Sequence, residues 1–265
     1  MIGEDFKPEI HRFDVLDSTN TKMKELVTKG VSEGAVVVAA EQTGGRGRGK
    51  RVWHSPAGGL YFSTLLYPRD SKHVTDLPIL AGAAVAQAVK DLLPKHKDVS
   101  VKWPNDCLIG WKKVGGILCE NLGEERLGLC VIGIGLNVNI PIEALEPFKE
   151  NPFSATSFLS ETSGGQFELD KVLDVVTKKL FTLYRLYQKE GFGPIKFLWE
   201  KNCKFIGKKI ELRDSGWRES DRKMGGPGLT VGTFLGIDET GAIVLSNQKG
   251  EYHHYYTGEI SCFWP

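Results

Sequence analysis

The stretch from Glu41 to Trp53 sets Arg46, Arg48, Lys50 and Arg51 among Gly44, Gly45, Gly47 and Gly49. Four cations fall within six residues, and no acid occurs from 42 to 69. Alternating glycine lets backbone N–H groups turn inward while the intervening cations converge, which suits a polyphosphate or an acyl phosphate. The bland alternative is a solvated basic loop, and its place between two apolar strands argues against that. Gly44 to Lys50 has P-loop spacing, but Arg51 stands where Ser or Thr must meet Mg²⁺, and a strand rather than a helix follows. Gly133 and Gly135 begin a dinucleotide fingerprint that lacks its third glycine and runs into Pro141. Neither phosphate motif holds.

A second constellation is Lys102-Trp103-Pro104-Asn105-Asp106, followed by Lys113, Gly115 and Gly116. A strand ending in Trp-Pro delivers Asn105 and Asp106 into a turn, which predicts a carboxylate at a sheet edge. Lys113 opens the next strand, so hairpin geometry lets it approach Asp106. Gly115 and Gly116, inside an apolar strand, admit something flat. Asp17-Ser18-Thr19-Asn20 gathers hydroxyls and amides at a strand-to-helix corner and, alone, reads most simply as a helix cap. Asn137 is unremarkable by itself. His253 and His254 sit where alternation sends them to opposite faces, so they read as barrel surface rather than metal ligands.

Positioning these groups needs strands at 10–16, 35–41 and 60–67, a helix from Thr19 to about Lys29, and a loop over 42–59. An alanine-rich helix over Asp76–Leu93 should lie flat on the sheet. Strand-like runs at 99–103, 107–109, 114–121 and 127–135 form a meander, with turns at 104–106, 110–112 and 123–124. Helices follow over 170–190 and from Pro194 to Lys201. Beyond Cys203, short runs punctuated by glycine predict a small all-β barrel, giving a division near 203–206.

The 31 glycines in 265 residues exceed the usual share of roughly 7%. A net charge of +1 argues against a polycation seeking nucleic acid. No apolar run approaches the roughly 18 residues of a membrane span. Acids and bases in the first dozen positions leave no room for a signal-peptide core. Five cysteines without a C-x-x-C pair read as reduced thiols. The chain is expected to be soluble and cytoplasmic.

Taken in order, Asp17-Ser18-Thr19-Asn20, Gln42 with Gly45-Arg46-Gly47-Arg48 and Trp53, Lys102 to Asp106, Lys113 to Glu120, and Gly133 to Asn137 resemble the biotin protein ligase family. The tail, 236–245 and 257–261, resembles that family's SH3-like cap. The resemblance implies an α+β fold: a mixed or antiparallel sheet with flanking helices, as in class II synthetases and biotin/lipoate ligases, over 1–203, with an SH3-like barrel over 204–265. It implies that biotin's carboxylate attacks ATP to give biotinyl-5′-AMP, and that a lysine of a biotin carboxyl carrier domain then takes the biotinyl group. By the same carry-over, Lys113, Asp106 and Arg48 are catalytic. Ser18, Thr19, Gln42, Gly45, Arg46, Lys113, Gly115 and Gly116 bind biotin; Arg46, Arg48, Arg51, Trp53, Lys102 and Asn137 bind ATP. Asp106 would orient or deprotonate the acceptor lysine, whose free pKa is about 10.4. Mg²⁺ would accompany ATP, with ligands unassigned.

Some family members carry an N-terminal DNA-binding domain. The first motif here starts at residue 17, so no DNA binding is expected. The charged, glycine-rich stretch 214–228 looks like an insertion in the barrel. Family members include monomers and homodimers, and no pattern here decides between them. The rival readings are a lipoate or octanoate ligase, a nucleic-acid-binding module and an inactive scaffold.

Overall fold

A computed structural model describes residues 2–3, 6–68, 76–122, 128–145, 154–162, 165–213 and 228–262. The expected turn at 123–124 and nearly all of the 214–228 stretch lie outside the described residues. The amino-terminal part is built on strands β1 (Ile10–Leu16), β2 (Val36–Gln42), β3 (Leu60–Leu66), β4 (Val99–Lys102), β5 (Asp106–Ile109), β6 (Lys112–Asn121) and β7 (Cys130–Leu136). They form one sheet in the order β1-β2-β3-β7-β6-β5-β4. β1 and β2 run parallel and every other pair antiparallel, so the sheet is mixed.

Helix α1 (Thr19–Thr28) covers one face, packing Met23 and Val27 against Ala35, Val37, Leu65 and Val131. The other face carries α2 (Asp76–Leu92), with α5 (Leu169–Glu190) and α6 (Gly193–Lys201) outside it. The stretch of α2 from Ile79 to Ala86 is buried throughout, as expected of a helix that is apolar all round and enclosed on both sides. Its small residues permit that close approach. Two short helices, α3 (Ile142–Leu145) and α4 (Phe158–Glu161), lie between β7 and α5.

The carboxy-terminal part is a five-stranded antiparallel sheet of β8 (Lys209–Arg213), β9 (Leu229–Ile237), β10 (Ile243–Ser246), β11 (Tyr252–Tyr255) and β12 (Glu259–Cys262), in the order β11-β10-β9-β8-β12. This is consistent with an SH3-like fold. Its interior, including Ile210, Phe234, Ile243 and Ile260, is continuous with the main core. Trp103 Nε1 donates to Gly241 O (3.1 Å), and Glu200 Oε1 accepts from Ile237 N (3.0 Å), so polar bonds also join the two parts.

No helix among the described residues is long and apolar enough to cross a membrane. His253 and His254 are both exposed, and His254 Nδ1 lies 2.6 Å from Asp238 Oδ2. Among the described residues, no cluster of three or more His, Cys, Asp or Glu could hold a metal.

Candidate active site

The β4–β5 hairpin pairs Lys102 with Asp106, which brings Lys102 Nζ to 3.0 Å from Asp106 Oδ2. On the other side Lys113 Nζ lies 2.6 Å from Asp106 Oδ1. That second contact depends on a β-bulge. Asp106 pairs with Gly116 and Cys107 with Gly115, but Leu108 then pairs with Lys113, leaving Val114 unmatched. In a regular ladder Lys113 and Gly116, three residues apart, would face opposite sides of the sheet. The extra residue turns Lys113 onto the side of Asp106. Asp106 therefore lies inside the sheet, covered by β4, and not at its edge. Burial alone would raise its pKa, but Lys102 and Lys113 overcome that and hold the carboxyl well below the usual carboxylate range.

A cavity opens beside this triad, floored by Gly116, Gly133 and Gly135. The Trp53 indole lies over the floor: a methyl group added at Gly135 would sit 2.5 Å from its Nε1, and one at Gly116 would sit 3.1 Å from its Cζ3. Lys113 Nζ stands 5.2 Å from the centre of that ring. The flat group that Gly116 and Gly135 admit is thus first the protein's own tryptophan, while Gly133 gives its space to the Asn20 amide.

At the far end the cavity is lined with hydroxyls and amides. Thr19 N and Oγ1 both donate to Gln42 Oε1 (2.9 and 3.2 Å), and Gln42 Nε2 donates to Ser55 Oγ (2.8 Å). Ser63 Oγ lies 2.7 Å from Thr19 Oγ1 and 2.5 Å from Asn20 Oδ1. Ser18 occupies the N-cap position of α1, yet its side chain makes no capping bond. The corner is therefore not spent on ending the helix, and Ser18 lines the cavity instead.

The glycine-rich segment closes the third side and is anchored at both ends. Arg46 donates from Nη1 to Thr21 Oγ1 (3.0 Å) and from Nη2 to Glu120 Oε2 (3.1 Å). Arg48 Nη1 donates to Gly258 O (3.1 Å), and Arg51 pairs with Glu259, so the other end is tied to β12 and the residue before it. The segment folds on itself through Gly47 N to Arg51 O (2.8 Å) and Trp53 N to Gly45 O (2.9 Å).

Of the residues expected from sequence, Ser18, Thr19, Gln42, Arg46, Arg48, Arg51, Trp53, Asp106, Lys113 and Gly116 line this one cavity. Four do not. A Cβ at Gly45 would collide with the Trp53 carbonyl, and one at Gly115 with the Leu136 side chain, so those glycines serve chain packing. Lys102 is buried behind the cavity as a partner of Asp106. Asn137 is buried and donates from Nδ2 to Thr156 O (3.0 Å), fixing the strip that hydrogen-bonds the Lys113 backbone through Ser154 O and Thr156 N. Sequence reasoning passed over Ser63, Asn105 and the role of Glu120. Ser63, one of two buried polar residues with Thr64 in the run Leu60–Leu66, is the kind of residue that marks a site.

The sequence model of the Biotin/lipoate A/B protein ligase family matches residues 12–137. The chain is 37% identical over 240 residues to the bifunctional ligase/repressor BirA of Bacillus spizizenii, covering 89% of this chain and 69% of that one. It is 30% identical to the biotin–[acetyl-CoA-carboxylase] ligase of Paracoccus denitrificans, over 88% and 92% of the two chains. A biotin protein ligase from Aquifex aeolicus, solved with biotin and ATP, superposes with a TM-score of 0.76 at 31% identity, over 97% of this chain and 98% of that one. The chain belongs to the biotin protein ligase family. The glycine floor, the anchored basic segment and the Asp106–Lys113 pair are thus this ligase family member's cavity.

Proposed function

We propose that the chain is an ATP-dependent biotin protein ligase that uses biotin and ATP as substrates and passes the biotinyl group to a lysine of a carboxylase carrier domain. The proposed division of labour is a catalytic part over 1–203 and a cap over 204–265. The observation that carries this reading is the Lys113 ammonium, set 2.6 Å from Asp106 and 5.2 Å from the Trp53 ring centre in a cavity whose opposite end offers amides and hydroxyls.

In the first step a biotin carboxylate oxygen attacks the α-phosphorus of ATP. The bond to the bridging oxygen breaks and pyrophosphate leaves. Two anionic groups must meet, so the site has to supply cations where charge accumulates. In this reading Lys113 bridges carboxylate and phosphate, and Arg48 and Arg51 take the phosphates. Ser18, Thr19, Gln42 and Arg46 take the polar ring of biotin and Trp53 the adenine, a reading supported by their sharing one cavity. In the second step the neutral amine of the acceptor attacks the acyl carbon, AMP leaves, and the amine gives up a proton. Lys102 and Lys113 hold the two oxygens of Asp106 and lower its pKa, which makes it a poor proton acceptor and favours orientation of the amine over its deprotonation. Lys102 and Asn137 act from behind the cavity, by holding Asp106 and the strip beside Lys113.

Mg²⁺ is proposed to arrive with the phosphates of ATP. The donor set does not fit a resident ion: Asp106 is the carboxylate lining the cavity, and two lysines already hold its oxygens. The deciding experiment is biotin-dependent exchange of pyrophosphate into ATP, run beside lipoate and octanoate, with Lys113→Ala as control. Exchange with biotin that the variant loses supports the reading. Exchange with lipoate or octanoate instead moves the chain to the sister activity, and exchange with none of them refutes both.

A further inference from the structure

Glu120 ends the Lys113–Glu120 motif and belongs to no step described above. It sits on β6 beyond the last residue that β5 pairs, on the same side of the sheet as Gly116 and Leu118. Three donors from separate places converge on its carboxylate. Oε2 accepts from Asn20 Nδ2 (2.7 Å) and Arg46 Nη2 (3.1 Å), and Oε1 accepts from Lys24 Nζ (2.8 Å). Asn20 is buried, further held by Leu118 O (3.3 Å) and in contact with Ser63. Its carboxylate partner is therefore fixed by the core, whereas Arg46 rises from a glycine-rich segment with no core of its own.

We propose that Glu120 is a positioning residue for biotin: anchored by Asn20 and Lys24, it fixes the Arg46 guanidinium against the end of the cavity that takes the ring. This rests on the function proposed above. The two terminal nitrogens of Arg46 point to Thr21 and Glu120, so the guanidinium is clamped in its plane and meets the cavity with its remaining N–H groups. Without the carboxylate, a long side chain on a glycine-rich segment has to be ordered by the ligand itself, and that entropy is taken from binding. Burial opposes ionisation of Glu120, but the bonds from Lys24 and Asn20, with the charge of Arg46, lower its pKa below the ordinary value, so it is a carboxylate at neutral pH.

The test is steady-state pyrophosphate exchange with biotin and ATP varied separately. Glu120→Ala is expected to raise the KM for biotin by about ten-fold or more, with the KM for ATP changed by less than about two-fold. Because the effect passes through Arg46, the same substitution in an Arg46→Ala background is expected to change the biotin KM by no more than about two-fold. Glu120→Gln keeps the volume and one acceptor oxygen and is expected to fall between wild type and Glu120→Ala. It carries the test alone if the alanine variant does not fold. Lys24→Ala removes one anchor of the same carboxylate while Asn20 keeps the other, and is expected to raise the biotin KM less than Glu120→Ala does, with the KM for ATP near wild type. An unchanged biotin KM in Glu120→Ala and Glu120→Gln, an equal rise for biotin and ATP, or a full effect in the Arg46→Ala background overturns the proposal while the ligase reading stands. No biotin-dependent exchange by the wild-type chain overturns both.

Discussion

Two sets of cations serve the same cavity, Lys102 from behind it, and are held in opposite ways. Lys102 and Lys113 stand on β4 and β6, the strands on either side of β5, and share one buried carboxylate, Asp106. Arg46, Arg48 and Arg51 stand on a glycine-rich segment, 40% and 43% exposed at the side chains of Arg46 and Arg51, and are tied to Glu120, a backbone carbonyl and Glu259. The first set is positioned by the sheet whether or not a ligand is present. The second stands on a segment with no core of its own: Arg46 is held by Glu120, Arg48 by one hydrogen bond, and Arg51 by a partly exposed ion pair of the kind that contributes little and gives way readily. A site that joins two anions and then admits a protein lysine needs both kinds: fixed charge at the reacting atoms and releasable charge over the entrance.

The largest expected effect follows from breaking the fixed set. Asp106→Asn leaves the buried Lys102 and the partly exposed Lys113 without a counter-charge, and chemical denaturation should show a loss of about 3–5 kcal/mol. The native carboxyl titrates below its unfolded value of about 3.9, so its stabilisation is complete above that pH and declines as pH falls from about 4 toward the native value. The difference between wild type and Asp106→Asn should therefore shrink in the acid and stay constant from about pH 5 upward. A constant difference down to pH 2 would show that the carboxyl is not held low.

Next in size is the reaction itself. Lys113→Ala should reduce the rate of biotin-dependent pyrophosphate exchange by about 10²–10³-fold, the loss typical of a fixed donor at developing charge. Arg51→Ala, removing a cation from the releasable set, should cost about ten-fold, expressed mainly in the KM for ATP. Equal losses in the rate at saturation would abolish the distinction drawn here.

The sequence made part of this contrast visible. The apolar alternation of 10–16, the β-branched run at 36–38 and the alanine-rich helix declared the sheet and its covering layer, because burial leaves its mark on residue type. The convergence of Asp106 and Lys113 was anticipated from hairpin geometry, but the reason it succeeds was hidden. The unmatched Val114 is a register property, set by how β5 and β6 pair and not by any residue type. Gly115 and Gly116 looked alike in sequence, yet one abuts Leu136 and the other Trp53, a difference fixed only by which face each presents. Asn137 reads as a ligand contact through its motif, whereas the structure shows its Nδ2 donating to Thr156 O behind the cavity. The anchors Glu120 and Glu259 lie 74 and more residues from the cations they hold, beyond the reach of any local pattern.

An intermediate effect tests the surface between the two sets. Gly135→Ala places a methyl group 2.5 Å from Trp53 Nε1, so ring and methyl cannot both stay. Trp53 belongs to the releasable segment, and its displacement should be the easier outcome. The expected result is a thermal midpoint close to wild type and a KM for ATP raised about ten-fold, because Trp53 is assigned to the adenine. A large loss of stability with binding retained would place Trp53 with the fixed set instead.

The smallest effect is the most direct probe of releasable charge. Arg51 and Glu259 are partly exposed, so Glu259→Gln should lose no more than about 1 kcal/mol, which is about a five-fold rise in the open population of the segment. Global denaturation will barely register that. Limited trypsin digestion will, because the segment carries four cleavable residues from Arg46 to Arg51, and cleavage follows the fraction open when reclosing is fast. Nicking there should rise up to about five-fold in Glu259→Gln, and should fall in both proteins when biotin and ATP are added. Raising salt to 1 M, where charges are screened beyond about 3 Å, should bring the wild type toward the variant. If the wild type is nicked no faster in high salt and the variant no faster than wild type, the segment is held by its backbone bonds, Gly47 to Arg51 and Trp53 to Gly45, and its arginines are free to serve the phosphates without first letting go of the cap.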